Sequence, residues 1–233
     1  KFATNNTGIR LNPNTGNNTV TQNTVTSPSV YGIDLTTSSG NFVASNTVIG
    51  SSVDGIILSS SSSNNTLSGN SVVGSIQHGV YLTSSTGNTV INNAVKGNGQ
   101  HGIYLLSASN NNILGNLISG NTGRGLFLDI SSNVVAERNQ IDSNANYQFY
   151  IDGASVSDTI RKNNILASPT FPDSLAYSGI TTAGVQIDVQ RNWWGTVDSS
   201  ILKSRIWGPS RDSIAYVRYR LGFVDTTLYA DTV

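Results

Sequence analysis

The chain has 233 residues, of which only 11% are charged, and its 13 basic and 13 acidic side chains cancel. That balance offers no basic surface for nucleic acid and no acidic tail, and the absence of cysteine rules out disulfides and thiolate metal sites. Gly, Ser, Thr and Asn dominate, yet regularly placed Val, Ile and Leu exclude disorder, and no apolar run reaches the length of a membrane span. The sequence starts at Lys1 and contains no methionine, which reads as a processed piece of a longer product.

In chain order, the first apolar element is Gly8-Ile9-Arg10-Leu11. It recurs as Gly32-Ile33-Asp34-Leu35, Gly55-Ile56-Ile57-Leu58, Gly79-Val80-Tyr81-Leu82, Gly102-Ile103-Tyr104-Leu105, Gly125-Leu126-Phe127-Leu128 and Gln148-Phe149-Tyr150-Ile151, at steps of 23 or 24 residues. A period held this tightly predicts a solenoid, in which each turn buries its apolar face against the next. Each coil also carries an Asn followed two residues later by an apolar residue: Asn23, Asn46, Asn70, Asn93, Asn116, Asn139 and Asn163. Five residues earlier stands a second polar row, Asn18, Asn41, Asn65, Asn88, Asn111 and Asp158, which breaks at Val134.

These rows predict three short strands per coil joined by bends. Asn suits the bends because it tolerates left-handed backbone and can bond the copies above and below. Small residues suggest two further bend rows, one through Ser38, Ser61, Ser85, Ala108, Ser131 and Ala154, the other through Gly50, Gly74, Gly97 and Gly120 with Ser27 and Ser143. Residues 166–178 interrupt the period, and the next opening is read at Gly179. After Asn192-Trp193-Trp194-Gly195 the period stops. A short helix capped by Thr196 or Asp198 is expected through Ile206, ending at Gly208-Pro209, with one or two strands behind it. The expected organisation is a parallel β-helix over residues 1–195 and a capping segment over 196–233.

The repeat Gly-Ile-x-Leu, then Asn-x-x-Ile-x-x-Asn-x-Ile, with the ending Asn192-Trp193-Trp194-Gly195-Thr196-Val197-Asp198 and Val217-Arg218-Tyr219, resembles the right-handed parallel β-helix repeat proteins, including the NosD-like periplasmic copper-binding group. The resemblance implies an all-β, right-handed solenoid of about eight coils with a helix-and-strand cap. It says little of function, because the fold hosts lyases, hydrolases, epimerases, adhesins and spacers.

Three groups of residues stand out. The position two after the opening Gly faces outward if alternation holds, which gives an aromatic stripe of Tyr81, Tyr104, Phe127 and Tyr150 suited to sugar or protein contact, or simply to bracing the solenoid. His78 and His101 stack in the row just before the Gly, with Asp54 and Arg124 to either side. Two histidines make a thin ligand set, so no metal is expected. Strict alternation would aim that row inward, whereas a bend would not. Asp129 and Asp152 align as stacked carboxylates at a retaining-glycosidase spacing, near His101 and Arg124, and form the alternative catalytic cluster.

The main expectation is a non-catalytic structural or adhesive module of a secreted or cell-surface protein, without cofactor. Its expected partners are a preceding domain or other copies of the chain, the latter joined head to tail through the alternating tail around residues 217–221 or 226–233. The alternative is a protein that binds or degrades polysaccharide.

Overall fold

In a computed structural model the described residues are 2–3, 6–152, 154–168, 176–178, 187–188, 191–196, 198, 200–201, 206–207 and 217–218. They form three all-parallel sheets of nine, nine and eight strands, wound in about seven turns. Sheet I holds the strands that follow each opening glycine, from Thr7–Leu11 through Val80–Thr83, Ile103–Leu106, Leu126–Asp129 and Phe149–Ile151 to Ile206–Trp207. Sheet II runs from Thr19–Thr21 to Val217–Arg218, and sheet III from Phe2–Ala3 to Asn164–Ile165.

The strands are short because only a few residues per coil alternate before a bend intervenes. In sheets II and III the middle residue of each triplet points inward: Val72, Val90, Val95, Ile113 and Ile118 are all fully buried. In sheet I the first and third strand residues do the same, as with Val80 and Leu82 or Ile103 and Leu105. Stacked coil on coil, they make one continuous apolar column, and each fully buried aliphatic side chain contributes about 1.5–3 kcal/mol.

The bends have a common construction. A residue in left-handed backbone turns the chain, and the next residue's side chain accepts a backbone amide of the preceding coil. Asn92, with φ 55°, precedes Asn93, whose Oδ1 takes the Asn70 amide at 2.8 Å. The ladder asparagines themselves are therefore not the left-handed residues, contrary to expectation. Their neighbours are, because the ladder residue must keep a geometry that sends its amide inward. The Asn23 to Asn163 row forms this continuous ladder, and Asn192 extends it by taking the Asn163 amide at 2.9 Å.

The second row behaves likewise and lapses at Val134, which has no acceptor; the Val134 amide is taken in turn by Asp158 at 2.8 Å. A third amide ladder follows the glycine bends, from Asn98 to Asn121 to Asn144. It ends on Gln148, whose fully buried side chain folds back to accept the Asn144 amide at 3.0 Å, standing in for the missing asparagine of the next coil. The serine row is corrected at two places. Ser62 and Ser155, not Ser61 and Ala154, supply the hydroxyls that take the Ser38 and Ser131 amides, because one extra residue precedes the bend in each of those two coils.

Two expectations near the C-terminus change. Ala176–Ser178 pairs with Phe149–Ile151, so the coil resumes before Gly179 and the interruption is shorter than the sequence suggests. Ile206–Trp207 is a strand of sheet I paired with Ala176 and Tyr177, so the helix cannot run through Ile206. Asp198 does cap the chain at Ser200 and Ile201. Most of residues 196–233, including 222–233, lies outside the described residues.

Candidate functional site

The outer face of sheet I gathers the chemically distinctive side chains, and glycine is the reason. A Cβ on Gly79 would lie 2.2 Å from Val95 Cγ1 and 2.8 Å from the Gly102 carbonyl oxygen. That position therefore faces inward at a corner too tight for any side chain. The corner breaks strict alternation and turns the preceding row outward. His78 and His101 accordingly lie beside the aromatic stripe, with ring centroids 5.2 Å from Tyr81 and 5.3 Å from Tyr104 respectively, and not in the core.

The stripe is in register: Tyr81 opposes Tyr104, Tyr104 opposes Phe127, and Phe127 opposes Tyr150. Tyr81 and Tyr104 stack at 5.1 Å with planes 7° apart, and Tyr104 and Phe127 at 4.8 Å and 13°. Tyr150 turns edge-on to Phe127, and the Arg124 guanidinium lies 4.2 Å from the Phe127 ring centre and 3.8 Å from that of Tyr150. The ring faces are thus spent on one another and on Arg124. A ligand crossing this face meets ring edges, hydroxyls and the guanidinium rather than open faces for stacking.

The histidine row is a fourth ladder, running in the opposite sense to the asparagines. Asp54 Oδ1 accepts the His78 amide at 3.0 Å, His78 Nδ1 accepts the His101 amide at 3.3 Å, and His101 Nδ1 accepts the Arg124 amide at 3.0 Å. Arginine has no acceptor, so the row ends there, and the Tyr147 amide turns to Asn146 Oδ1. With Nδ1 accepting, each neutral imidazole carries its proton on Nε2 and can donate from it. Burial pushes His78 down to about 4; burial, then the charges of His78 and Arg124, push His101 down to about 3. Burial pushes Asp54 up to about 6, against the bond from the His78 amide. The imidazoles stack at 5.0 Å with planes 14° apart.

Asp129 and Asp152 stand one coil apart, since the Asp152 amide bonds the Leu128 carbonyl beside Asp129. Their carboxylates have different partners. Asp129 Oδ2 accepts the Tyr104 hydroxyl at 2.7 Å, and Asp152 Oδ1 accepts the Ala154 amide at 2.8 Å. Burial, then the Asp129 bond and charge, raise Tyr104 and keep it a donor. Arg124, by contrast, makes no ion pair among the described residues, and its Nε is buried without a partner. Sequence reasoning missed the Tyr104–Asp129 bond and the cation over the rings. The step of two between rows is visible in the sequence, but nothing in it gives the corner that aligns them. At the far end of the face, buried Asp34 is held by Arg10 at 3.3 Å and by the Thr36 hydroxyl at 2.5 Å.

The profile of the family described as "Right handed beta helix region" matches residues 7–165 and 55–203. Sequence comparison with curated proteins finds no match. Among solved structures, the chain is similar to the periplasmic alginate epimerase AlgG, at 25% identity and a TM-score of 0.66 over 73% of this chain and 43% of that one. It is also similar to the A-module of the Azotobacter vinelandii mannuronan C-5 epimerase AlgE6 (16% identity, TM-score 0.59, 82% and 56% covered) and to DFA-IIIase from Arthrobacter chlorophenolicus A6 (13%, 0.59, 75% and 47%). The last two likenesses are of fold alone. The chain spans less than half the length of the AlgG structure it matches.

Proposed function

Since the chain belongs to the right-handed β-helix family, we propose that it binds an acidic polysaccharide on the outer face of sheet I. The observation that carries this reading is Arg124: a cation laid over Phe127 and Tyr150, with a buried Nε lacking a partner and no ion pair among the described residues. A ligand carboxylate beside it would gain a charge-assisted bond in a partly desolvated setting. The hydroxyl of Tyr81 and the Nε2–H groups of His78 and His101 supply neutral donors along the same face, while the Tyr104 hydroxyl is committed to Asp129. Structural likeness to a protein named as a periplasmic alginate epimerase supports the choice of polymer, and the periplasmic setting in that name supports a location outside the cytoplasm.

The geometry supports binding better than turnover. Both imidazoles have Nδ1 engaged and Tyr104 is held protonated, so none of these three is free to act as a base. Affinity electrophoresis through gels containing alginate tests the proposal. Retarded migration in alginate but not in a neutral glucan, weakened by Arg124→Gln, is the expected result; equal migration in all gels would end it. The second reading, a non-catalytic structural or adhesive module, draws on the mutually stacked ring faces and the continuous amide ladders, and it predicts that last outcome.

A further inference from the structure

Along the outer face of sheet I the ring centroids advance by 5.1, 4.8 and 5.0 Å from Tyr81 to Tyr104 to Phe127 to Tyr150. This is the strand spacing of a sheet, imposed by the in-register pairs. It also matches the advance per residue of an extended pyranose chain with diequatorial linkages. Diaxial linkages shorten that step and throw the chain out of phase within a few residues. Resting on the polysaccharide reading above, we infer that the face takes a diequatorially linked, uronate-containing chain laid along the solenoid axis with one sugar per coil, and reads a single carboxylate at the coil of Arg124.

The charge distribution gives the second half of this. The coils of Tyr81 and Tyr104 present neutral imidazoles and the Tyr81 hydroxyl beside the rings, which suit a hydroxylated sugar and demand no charge. Among the described residues, only the Arg124 coil adds a cation to the stripe. On the far side of that coil stands Asp129, three residues beyond Leu126 in the same strand and bonded to Tyr104. A sugar carboxylate over this coil is drawn toward Arg124 and repelled from Asp129, so the ring can lie only one way round. The register is thus set by spacing, and the position along the chain by one charge.

Titration calorimetry on the full chain separates the possibilities with three tetrasaccharides: β-1,4-linked mannuronate (diequatorial, four carboxylates), α-1,4-linked guluronate (diaxial, four carboxylates), and β-1,4-linked mannose carrying one uronate. The diequatorial acid should bind about tenfold more tightly than the diaxial one, a difference a few displaced polar contacts supply. The single-uronate tetramer should bind within about threefold of the fully charged one, because one ion pair carries the charge dependence. Arg124→Gln should weaken both diequatorial ligands and leave circular dichroism unchanged. Equal binding of the two fully acidic tetramers overturns the register while leaving the proposed function standing. Failure of the single-uronate ligand overturns the one-carboxylate claim, and failure of all three overturns the function and the inference together.

Discussion

His101 Nδ1 accepts the backbone N–H of Arg124 at 3.0 Å, so an imidazole that sequence alone offers as a ligand or base is a rung of the backbone ladder. Protonation turns that acceptor into a donor and breaks the rung. Both histidines have folded values below 6.5, so the fold favours their neutral forms. Their contribution is complete above the unfolded value and is lost as pH falls from about 6.5 toward 4 for His78 and 3 for His101. Asp54 opposes this, gaining stability by protonation as pH drops through about 6. His101→Asn keeps an acceptor at the Nδ1 position and cannot titrate. Urea melts from pH 7 to pH 4 should show a shallower loss of stability for this variant than for the parent; parallel curves would contradict the ladder role.

Asp158 replaces an asparagine in the second ladder. Where Asn111 sends its amide to the Ala108 and Ser85 carbonyls, Asp158 has an oxygen, Oδ2, buried without a partner. Burial pushes its carboxyl up to about 7 despite the Val134 amide. A raised value means stability present below 3.8 and lost as pH rises through 7. Asp158→Asn should therefore stabilise the chain by about 1–3 kcal/mol at pH 8, with the gain shrinking toward pH 4. Denaturant titrations at the two pH values check it, and a gain that grows on acidification would contradict the assignment.

Gly79→Ala should cost about 1–3 kcal/mol through the enforced displacement of Val95 and of the Gly102 carbonyl. Gly97, with nothing within 4 Å of an added Cβ but φ of 60°, makes the comparison. Gly97→Ala should cost about 1–2 kcal/mol, from backbone strain alone. If the steric corner is real, core packing read by near-ultraviolet circular dichroism changes only in the Gly79 variant.

Asn93→Leu removes the acceptor of the Asn70 amide and of its side chain, and the donors to Leu67, Ile91 and Asn116. The unpaired Asn70 amide alone should cost about 1–3 kcal/mol. Hydrogen exchange should accelerate at Asn70 first, and an unchanged melt would remove the ladder from the stability account.

Tyr104→Phe deletes the hydroxyl that Asp129 accepts and leaves the ring stack in place. The freed Asp129 carboxylate then competes for Arg124, so acidic-oligosaccharide affinity should drop about three- to tenfold, in line with the loss of one hydrogen bond. Calorimetry on the folded variant reads it directly, and undiminished affinity would take Asp129 out of the site.

The solenoid was legible in the sequence because a parallel β-helix is a one-dimensional structure: the 23- or 24-residue step is the coil, and the Gly-Ile-x-Leu and Asn rows are its strands and bends written out in order. Stacking copies of one turn leaves little for long-range contacts to decide, so Val80, Leu82, Val90 and Val95 could be assigned inward before any geometry was known. The site was legible only as rows. Whether His78 faced the core or the stripe depended on a corner set by Val95 and the Gly102 carbonyl, contacts between different sheets and coils that no period encodes. The ring faces turned toward each other, the Tyr104–Asp129 bond and the unneutralised Arg124 above Phe127 likewise depend on side-chain angles chosen by neighbours one coil away. A repeat fixes where a residue sits along the axis, but the direction of its side chain is settled by what the adjacent coil leaves open.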